Sequence, residues 1–251
     1  MKKSGIVIIS LVPLRAEPSS KSELVSELLF GETYNVLEES DGWYKVENQL
    51  DGYVGWINNT QFSLLENSEI PEIIFCKFPF SIVKTDGIDS PIYVLPGSRI
   101  FKNNSGECFI NGMKCSVEID AFSRNISIAE FSKLFLNSPY LWGGKSLLGI
   151  DCSGFTQIVF SCFGLNIPRD AYQQADFGNQ VDFISESKPG DLAFFENKDG
   201  KITHVGIIIE NQKIIHASGK VRIDEIDSFG IFNKDSGKHS HQLRWIKRLV
   251  F

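Results

Sequence analysis

The chain predicts an α+β fold, with two small β-barrels ahead of a domain that opens on helices and closes on antiparallel strands. Three observations carry this. Short alternating apolar runs punctuated by glycine fill residues 5–66 and recur over residues 72–120. Phe155, Ile158, Val159, Cys162 and Phe163 fall at helical spacing behind a glycine-rich approach at residues 139–144. Two strand-like runs, residues 202–209 and 213–218, flank the polar pair Asn211-Gln212.

Composition bounds the function classes. A chain of 251 residues with 42% hydrophobic content can bury a sizeable core in one large domain or two to three small ones. A net charge of −6 without long runs of one sign offers neither a nucleic-acid face nor a basic membrane patch, so small ligands are the expected partners. Five cysteines, an odd number without a regular framework, read as reduced thiols of a cytoplasmic protein. Cys76, Cys108, Cys115 and Cys162 are core or surface thiols on this reading, with Cys108 and Cys115 also placed to span a hairpin. Lys2-Lys3 ahead of residues 6–12 imitates a secretion signal. Pro13, Arg15, Glu17 and Pro18 follow without a small-residue cleavage site, so a first β-strand over residues 5–12 is expected. No stretch approaches the ~20 apolar residues of a spanning helix.

The first barrel, residues 1–66, is expected from strands at residues 5–12, 24–29, 34–38, 43–46 and 53–57, with glycines at 31, 42, 52 and 55 between them. A linker carrying Asn67, Ser68 and Pro71 precedes a second, divergent barrel at residues 72–120, broken at Pro79, Gly87, Pro91, Pro96, Gly106 and Gly112. The third domain, residues 124–251, opens on an amphipathic helix through Ile128, Phe131, Leu134 and Phe135, with Ser127 as N-cap and Glu130 completing a capping box.

The chemistry concentrates in that third domain. Asp151-Cys152-Ser153-Gly154 puts a cysteine in the first turn of the next helix, where unpaired N–H groups and the helix dipole favour thiolate and lower the thiol pKa. A free cysteine is otherwise most often a small buried hydrophobe. A cysteine nucleophile needs a base and a group to orient that base, and His204 and His216 on the two strands supply these in order. A two-residue turn at Asn211-Gln212 would place the two histidines on opposite faces. An irregular hairpin, with a longer loop or a bulge, is therefore expected.

These residues resemble the NlpC family of papain-like cell-wall peptidases. The resemblance runs through Asp151 to Gly154, His204-Val205-Gly206, His216-Ala217-Ser218, the lead-in Pro139-Tyr140-Leu141-Trp142-Gly143-Gly144 and Pro189-Gly190-Asp191-Leu192. It implies Cys152 as nucleophile, His204 as general base, His216 as its orienting partner and the Tyr140 hydroxyl as a support for the oxyanion. Asp41-Gly42-Trp43-Tyr44-Lys45-Val46 and Asp51-Gly52-Tyr53-Val54-Gly55-Trp56-Ile57, with Leu14 to Pro18 as a first loop, look like a bacterial SH3-type module. Barrel aromatics also serve simply to fill a small core.

Two SH3-type barrels ahead of an NlpC-type domain resemble the γ-D-glutamyl-L-diamino acid endopeptidases that recycle murein peptides. That resemblance implies a free N-terminal L-Ala on a tripeptide or tetrapeptide substrate, with its amine held by Glu32, Tyr53 and Asp151. It implies Ser153, Arg169 and Asp170 as further residues lining the site, with Ala171 next to them where relatives can carry serine. No cofactor or metal is expected. His239 and His241 lack a third ligand and read as a solvated loop, and Gly144-Lys145-Ser146 is no phosphate loop. Alternatives are a secreted or periplasmic hydrolase of intact peptidoglycan, a non-catalytic wall-binding module, and thiol acyl transfer on the same scaffold. The oligomeric state and the diamino acid preferred stay open.

Overall fold

The structure is a computed structural model that describes residues 3–66, 72–75, 79–87, 89–103, 105–118 and 126–249. The linker residues Asn67, Ser68 and Pro71 and the thiol of Cys76 lie outside them. The chain divides into two compact units, residues 1–123 and 124–251.

In the first unit, β1 (Ser4–Ile6), β2 (Leu11–Arg15), β3 (Leu24–Leu29), β4 (Thr33–Ser40), β5 (Trp43–Asn48) and β6 (Val54–Asn58) form one sheet in the order β1-β4-β5-β6-β2-β3. It encloses Val7, Val12, Leu14, Leu28, Tyr34, Val46 and Ile57. The single strand expected over residues 5–12 is broken in two. Val7 leaves the ladder to exchange backbone hydrogen bonds with the turn at Gly31 and Glu32, which lets the chain turn a corner of the barrel.

The second sheet repeats the plan. It contains β7 (Glu72–Phe75), β8 (Ser81–Thr85), β9 (Ile92–Val94), β10 (Arg99–Lys102), β11 (Cys108–Ile110) and β12 (Met113–Glu118), in the order β7-β10-β11-β12-β8-β9. Counted within each sheet, both orders are first-fourth-fifth-sixth-second-third, so two divergent sequences reach one topology. Their cores meet: Ile6 and Phe30 of the first sheet join Val83, Val94, Ile100, Phe101, Ile110 and Cys115 in one cluster. Cys108 and Cys115 are direct register partners and both are free thiols.

The second unit opens with α1 (Ile128–Ser132), which tightens into a 3-10 turn at Lys133–Phe135. Ser127 caps it by accepting from the backbone of Glu130 at 3.2 Å. The expected capping box does not close, because the Glu130 carboxylate turns instead to Lys133 at 2.7 Å. The short strands β13 (Lys145–Ser146) and β14 (Gly149–Ile150) lead into α2 (Cys152–Ser161), followed by α3 (Ala171–Gln174) and β15 (Asn179–Gln180).

The remaining strands are β16 (Leu192–Glu196), β17 (Ile202–Glu210), β18 (Lys213–Ser218), β19 (Lys220–Ile226), β20 (Gly230–Asn233) and β21 (Lys238–Arg248), joined in that order. The long β21 pairs with β20 through its first half and with β16 through its second, which closes β16 to β21 into a ring. Ala193, Phe195, Ile208, Ile214, Ile226, Ile231 and Ile246 pack together on one face. Helix α2 packs against β17 and β18, so the cysteine helix and the histidine strands form adjacent layers.

Candidate active site

Helix α2 starts at Cys152 because Asp151 caps it, accepting from the backbone N–H of Gly154 at 2.7 Å. The same carboxylate accepts from the Gly143 N–H at 2.8 Å, from the Ser153 hydroxyl at 3.3 Å, and from both Arg169 terminal nitrogens at 3.0 and 2.6 Å. These five donors fill its roughly four lone-pair directions. Gly154 is required for this approach, since a Cβ there would collide with the carbonyl of Gly144. The helix start is thus clamped to the glycine-rich segment before it.

Arg169 is buried and also donates to the Ser153 hydroxyl at 2.9 Å. Asp151, Ser153 and Arg169, expected to line a substrate site, are brought together as one buried network beneath the cysteine. Asp170 begins α3, where its backbone N–H donates to Gln173 at 3.3 Å.

The Cys152 side chain is nearly buried and lies against the backbone N–H of Val205, the residue after His204. Its thiol is not lowered as the helix position predicts. Burial, and next the charge of Asp151, push it up to about 12, against the opposing N–H groups of Val205 and Ser153 and the charge of Arg169. Desolvation outweighs the helix terminus here. Tyr140 is pinned by its N–H to Gly219 at 3.0 Å and by a bridge to Ile150. Burial raises its hydroxyl to about 12, so it remains a donor at neutral pH.

The two histidines share a face for the reason the parity argument requires. The β17–β18 pairing runs Gly206 to His216, Ile207 to Ile215 and Ile208 to Ile214, and then slips by one residue before Glu210 meets Lys213. This bulge at Ile209 restores the register that a plain two-residue turn would lose. His204 and Gly206 then point the same way, and His216 leans across Gly206 to bring its Nδ1 within 2.8 Å of His204 Nε2. His216 Nε2 reaches Asp224 Oδ2 on β19 at 3.1 Å, with both side chains about 1% exposed. Burial, and then the neighbouring His216 and His241, hold the His204 pKa well below its usual range.

Asp224 and His241 have no motif to announce them. Asp224 belongs to the alternating run from Lys220 to Ile226, whose polar face reads as solvent-facing. It is buried because its neighbours on the same face, Ile214 directly across the ladder, His216 diagonal to it and Ile226 two residues on, point into the ring. His241 corrects the expected solvated loop. It stands on β21, opposite Ile231, with its ring stacked on His204 at 4.1 Å between centroids and 24° between planes. It also lines a cleft of about 690 Å³. His239 instead pairs with Asp227 at 2.9 Å. Among the described residues, no group of three His, Cys, Asp or Glu side chains is arranged to hold a metal ion.

Glu32 and Tyr53 belong to the other compact unit. Glu32 is buried, accepts from Asn48 at 3.1 Å and lies in the electrostatic field of Arg99. Tyr53 packs against the core of the first barrel.

A family model described as "NlpC/P60 family" matches residues 137–236, and one described as "Bacterial dipeptidyl-peptidase Sh3 domain" matches residues 14–62. A "Gamma-D-glutamyl-L-lysine dipeptidyl-peptidase" of Bacillus subtilis (strain 168) is 30% identical over 214 residues, covering 76% of this chain and 71% of that protein. A "Dipeptidyl-peptidase 6" of Lysinibacillus sphaericus is 25% identical, covering 89% and 92% of the two chains. The crystal structure of an NlpC/P60 family protein from Bacillus cereus ATCC 10987 superposes with a TM-score of 0.79 at 21% identity, covering 98% and 99%, which shows the shared fold. The chain belongs to the NlpC/P60 family of cysteine peptidases, here carried behind an SH3-like domain.

Proposed function

We propose that this chain is a cysteine endopeptidase that hydrolyses the γ-D-glutamyl bond to an L-diamino acid in murein tripeptides or tetrapeptides with a free N-terminal L-Ala. Its proposed setting is the recycling of such peptides in the cytoplasm. The observation that carries the reading is the buried hydrogen bond between His204 Nε2 and His216 Nδ1, with the Cys152 thiol against the backbone N–H of Val205, the residue after His204. Two relatives bear the name γ-D-glutamyl-L-lysine dipeptidyl-peptidase, which supports a diamino acid of the lysine type.

In the proposed reaction Cys152 attacks the side-chain carbonyl of D-glutamate while its proton passes to His204. A thiol raised by burial and a base depressed by burial make the resting pair neutral, so the proton moves during attack. The Tyr140 hydroxyl donates to the oxyanion. As the tetrahedral adduct collapses, protonated His204 gives its proton to the departing amine of the diamino acid and a thioester remains. His204 then takes a proton from water, the hydroxyl adds to the thioester, and L-Ala-D-Glu leaves as the thiol is restored.

Recognition of the L-Ala ammonium is assigned to Glu32 and Tyr53 on the strength of their sequence motifs. Asp151, whose oxygens are filled, acts from below with Ser153 and Arg169, by fixing the cysteine helix, and Asp170 serves at the start of α3. The test compares L-Ala-γ-D-Glu-L-Lys with its N-acetyl form. Hydrogen bonds to charged groups contribute about 1.5–3 kcal/mol each, so losing one predicts a fall of roughly tenfold to hundredfold in kcat/KM at ~1.4 kcal/mol per decade. Glu32→Gln is expected to narrow that gap. Equal rates on the two peptides would overturn the amine requirement.

A further inference from the structure

His204 and His216 end on a carboxylate. Asp224 Oδ2 faces His216 Nε2 at 3.1 Å, and its Oδ1 accepts from Arg222 Nη2 at 2.8 Å. Arg222 Nη1 continues to Asp235 Oδ2 at 2.7 Å, so the array Asp235-Arg222-Asp224-His216-His204 runs from the surface to the buried His204 ring. Hydrogen bonds from His216 and Arg222 hold the Asp224 carboxyl below its usual range despite burial, and an ionised carboxylate only accepts.

We propose that Asp224 is a positioning residue that sets the tautomers of both histidines and thereby leaves Nδ1 of His204 bare to take the thiol proton. This inference rests on the reading of Cys152 as nucleophile and His204 as base. Facing an acceptor, His216 Nε2 must carry the proton. With a single ring proton, His216 then has a bare Nδ1, which accepts from His204 Nε2–H. That proton placement leaves His204 Nδ1 as its free lone pair. One buried carboxylate therefore decides the state of a nitrogen two rings away. It also balances the positive charge that His204 carries after the thiol is deprotonated. The alternative placement, with hydrogens on both Nδ1 atoms, would put a proton between base and thiol and point a bare Nε2 of His216 at the carboxylate.

The test is 15N NMR of histidine-labelled protein, with assignments made by His204→Gln and His216→Gln, alongside the kinetics of Asp224→Asn and Asp224→Glu. In the wild-type chain both Nε2 atoms are expected to carry the proton and both Nδ1 atoms to be bare. In Asp224→Asn the amide can donate to His216 Nε2, which drives both rings toward Nδ1–H. That variant should lose kcat on the order of a hundredfold or more with KM little changed, as expected for a wrong base tautomer. Asp224→Glu should recover part of the kcat and the wild-type spectrum. A wild-type chain with the proton on His204 Nδ1 would overturn the inference, and so would a folded Asp224→Asn variant with unaltered tautomers and kcat. Activity persisting in Cys152→Ala would instead defeat the underlying assignment of nucleophile, a result that the tautomer measurement does not share.

Discussion

Gly206 lies directly across the β17–β18 ladder from His216, and a Cβ placed on it would stand 2.9 Å from the His216 Cβ and 2.7 Å from Ile214 Cδ1. The absent side chain is the space through which His216 leans to reach His204. Gly206→Ala should therefore act on catalysis through His216. Overpacking of this kind costs about 1–3 kcal/mol of folding stability, and displacing His216 from His204 is expected to lower kcat/KM as well. Steady-state kinetics alongside a melting curve checks it, and a variant of wild-type activity would contradict the account.

The Cys152 thiol, raised to about 12, predicts an unusual alkylation profile. Modification of Cys152 by iodoacetamide should keep climbing from neutral into strongly alkaline solution, because the thiolate fraction grows about tenfold per pH unit below the pKa. A thiolate-imidazolium pair would instead react at a rate already level near neutrality. Peptide mass spectrometry separates Cys152 from Cys115, which burial raises to about 11.

His241 couples stability to acid. Its pKa is lowered to about 4, by burial and then by His216, while an unfolded histidine titrates near 6.5. Between these values the unfolded chain binds the extra proton, so the stability tied to a neutral His241 is complete above about pH 6.5 and is lost as pH falls toward 4. His204 adds a loss of the same sign. His241→Gln should flatten this decline in urea unfolding, and a slope equal to that of the wild-type chain would count against the stacked, neutral ring.

Arg169 and Asp151 are a buried ion pair with side chains 1% and 7% exposed. Removing one partner of such a pair typically costs about 3–5 kcal/mol, because the other charge is left uncompensated. Arg169→Met should lower stability by that order and disturb the start of α2, whereas the doubly substituted Asp151→Asn, Arg169→Met chain should regain part of the loss. A double-mutant cycle by chemical denaturation measures both.

Much of this site is legible in the sequence, for physical reasons specific to each residue. Asp151-Cys152-Ser153-Gly154 reads as a helix start with the cysteine in its first turn, and the structure begins α2 at Cys152. The hairpin parity demands an irregularity between His204 and His216, and a bulge stands at Ile209. The thiol pKa was illegible because desolvation depends on burial by distant segments, and it reverses the sign that the helix terminus alone predicts. Asp224 and His241 were illegible because alternation tells which residues share a face but not that the strands close into a ring that buries the polar end of that face. The second barrel shows its strand breaks locally, while its shared order with the first emerges only once the strands are paired.

The central claim is that the Cys152 thiol opens the γ-D-glutamyl bond, and mass spectrometry of products from L-Ala-γ-D-Glu-L-Lys tests it most directly. The wild-type chain should yield L-Ala-D-Glu and free L-Lys, and folded Cys152→Ala should leave the tripeptide intact. Release of free L-Ala, or undiminished cleavage by Cys152→Ala, would contradict it.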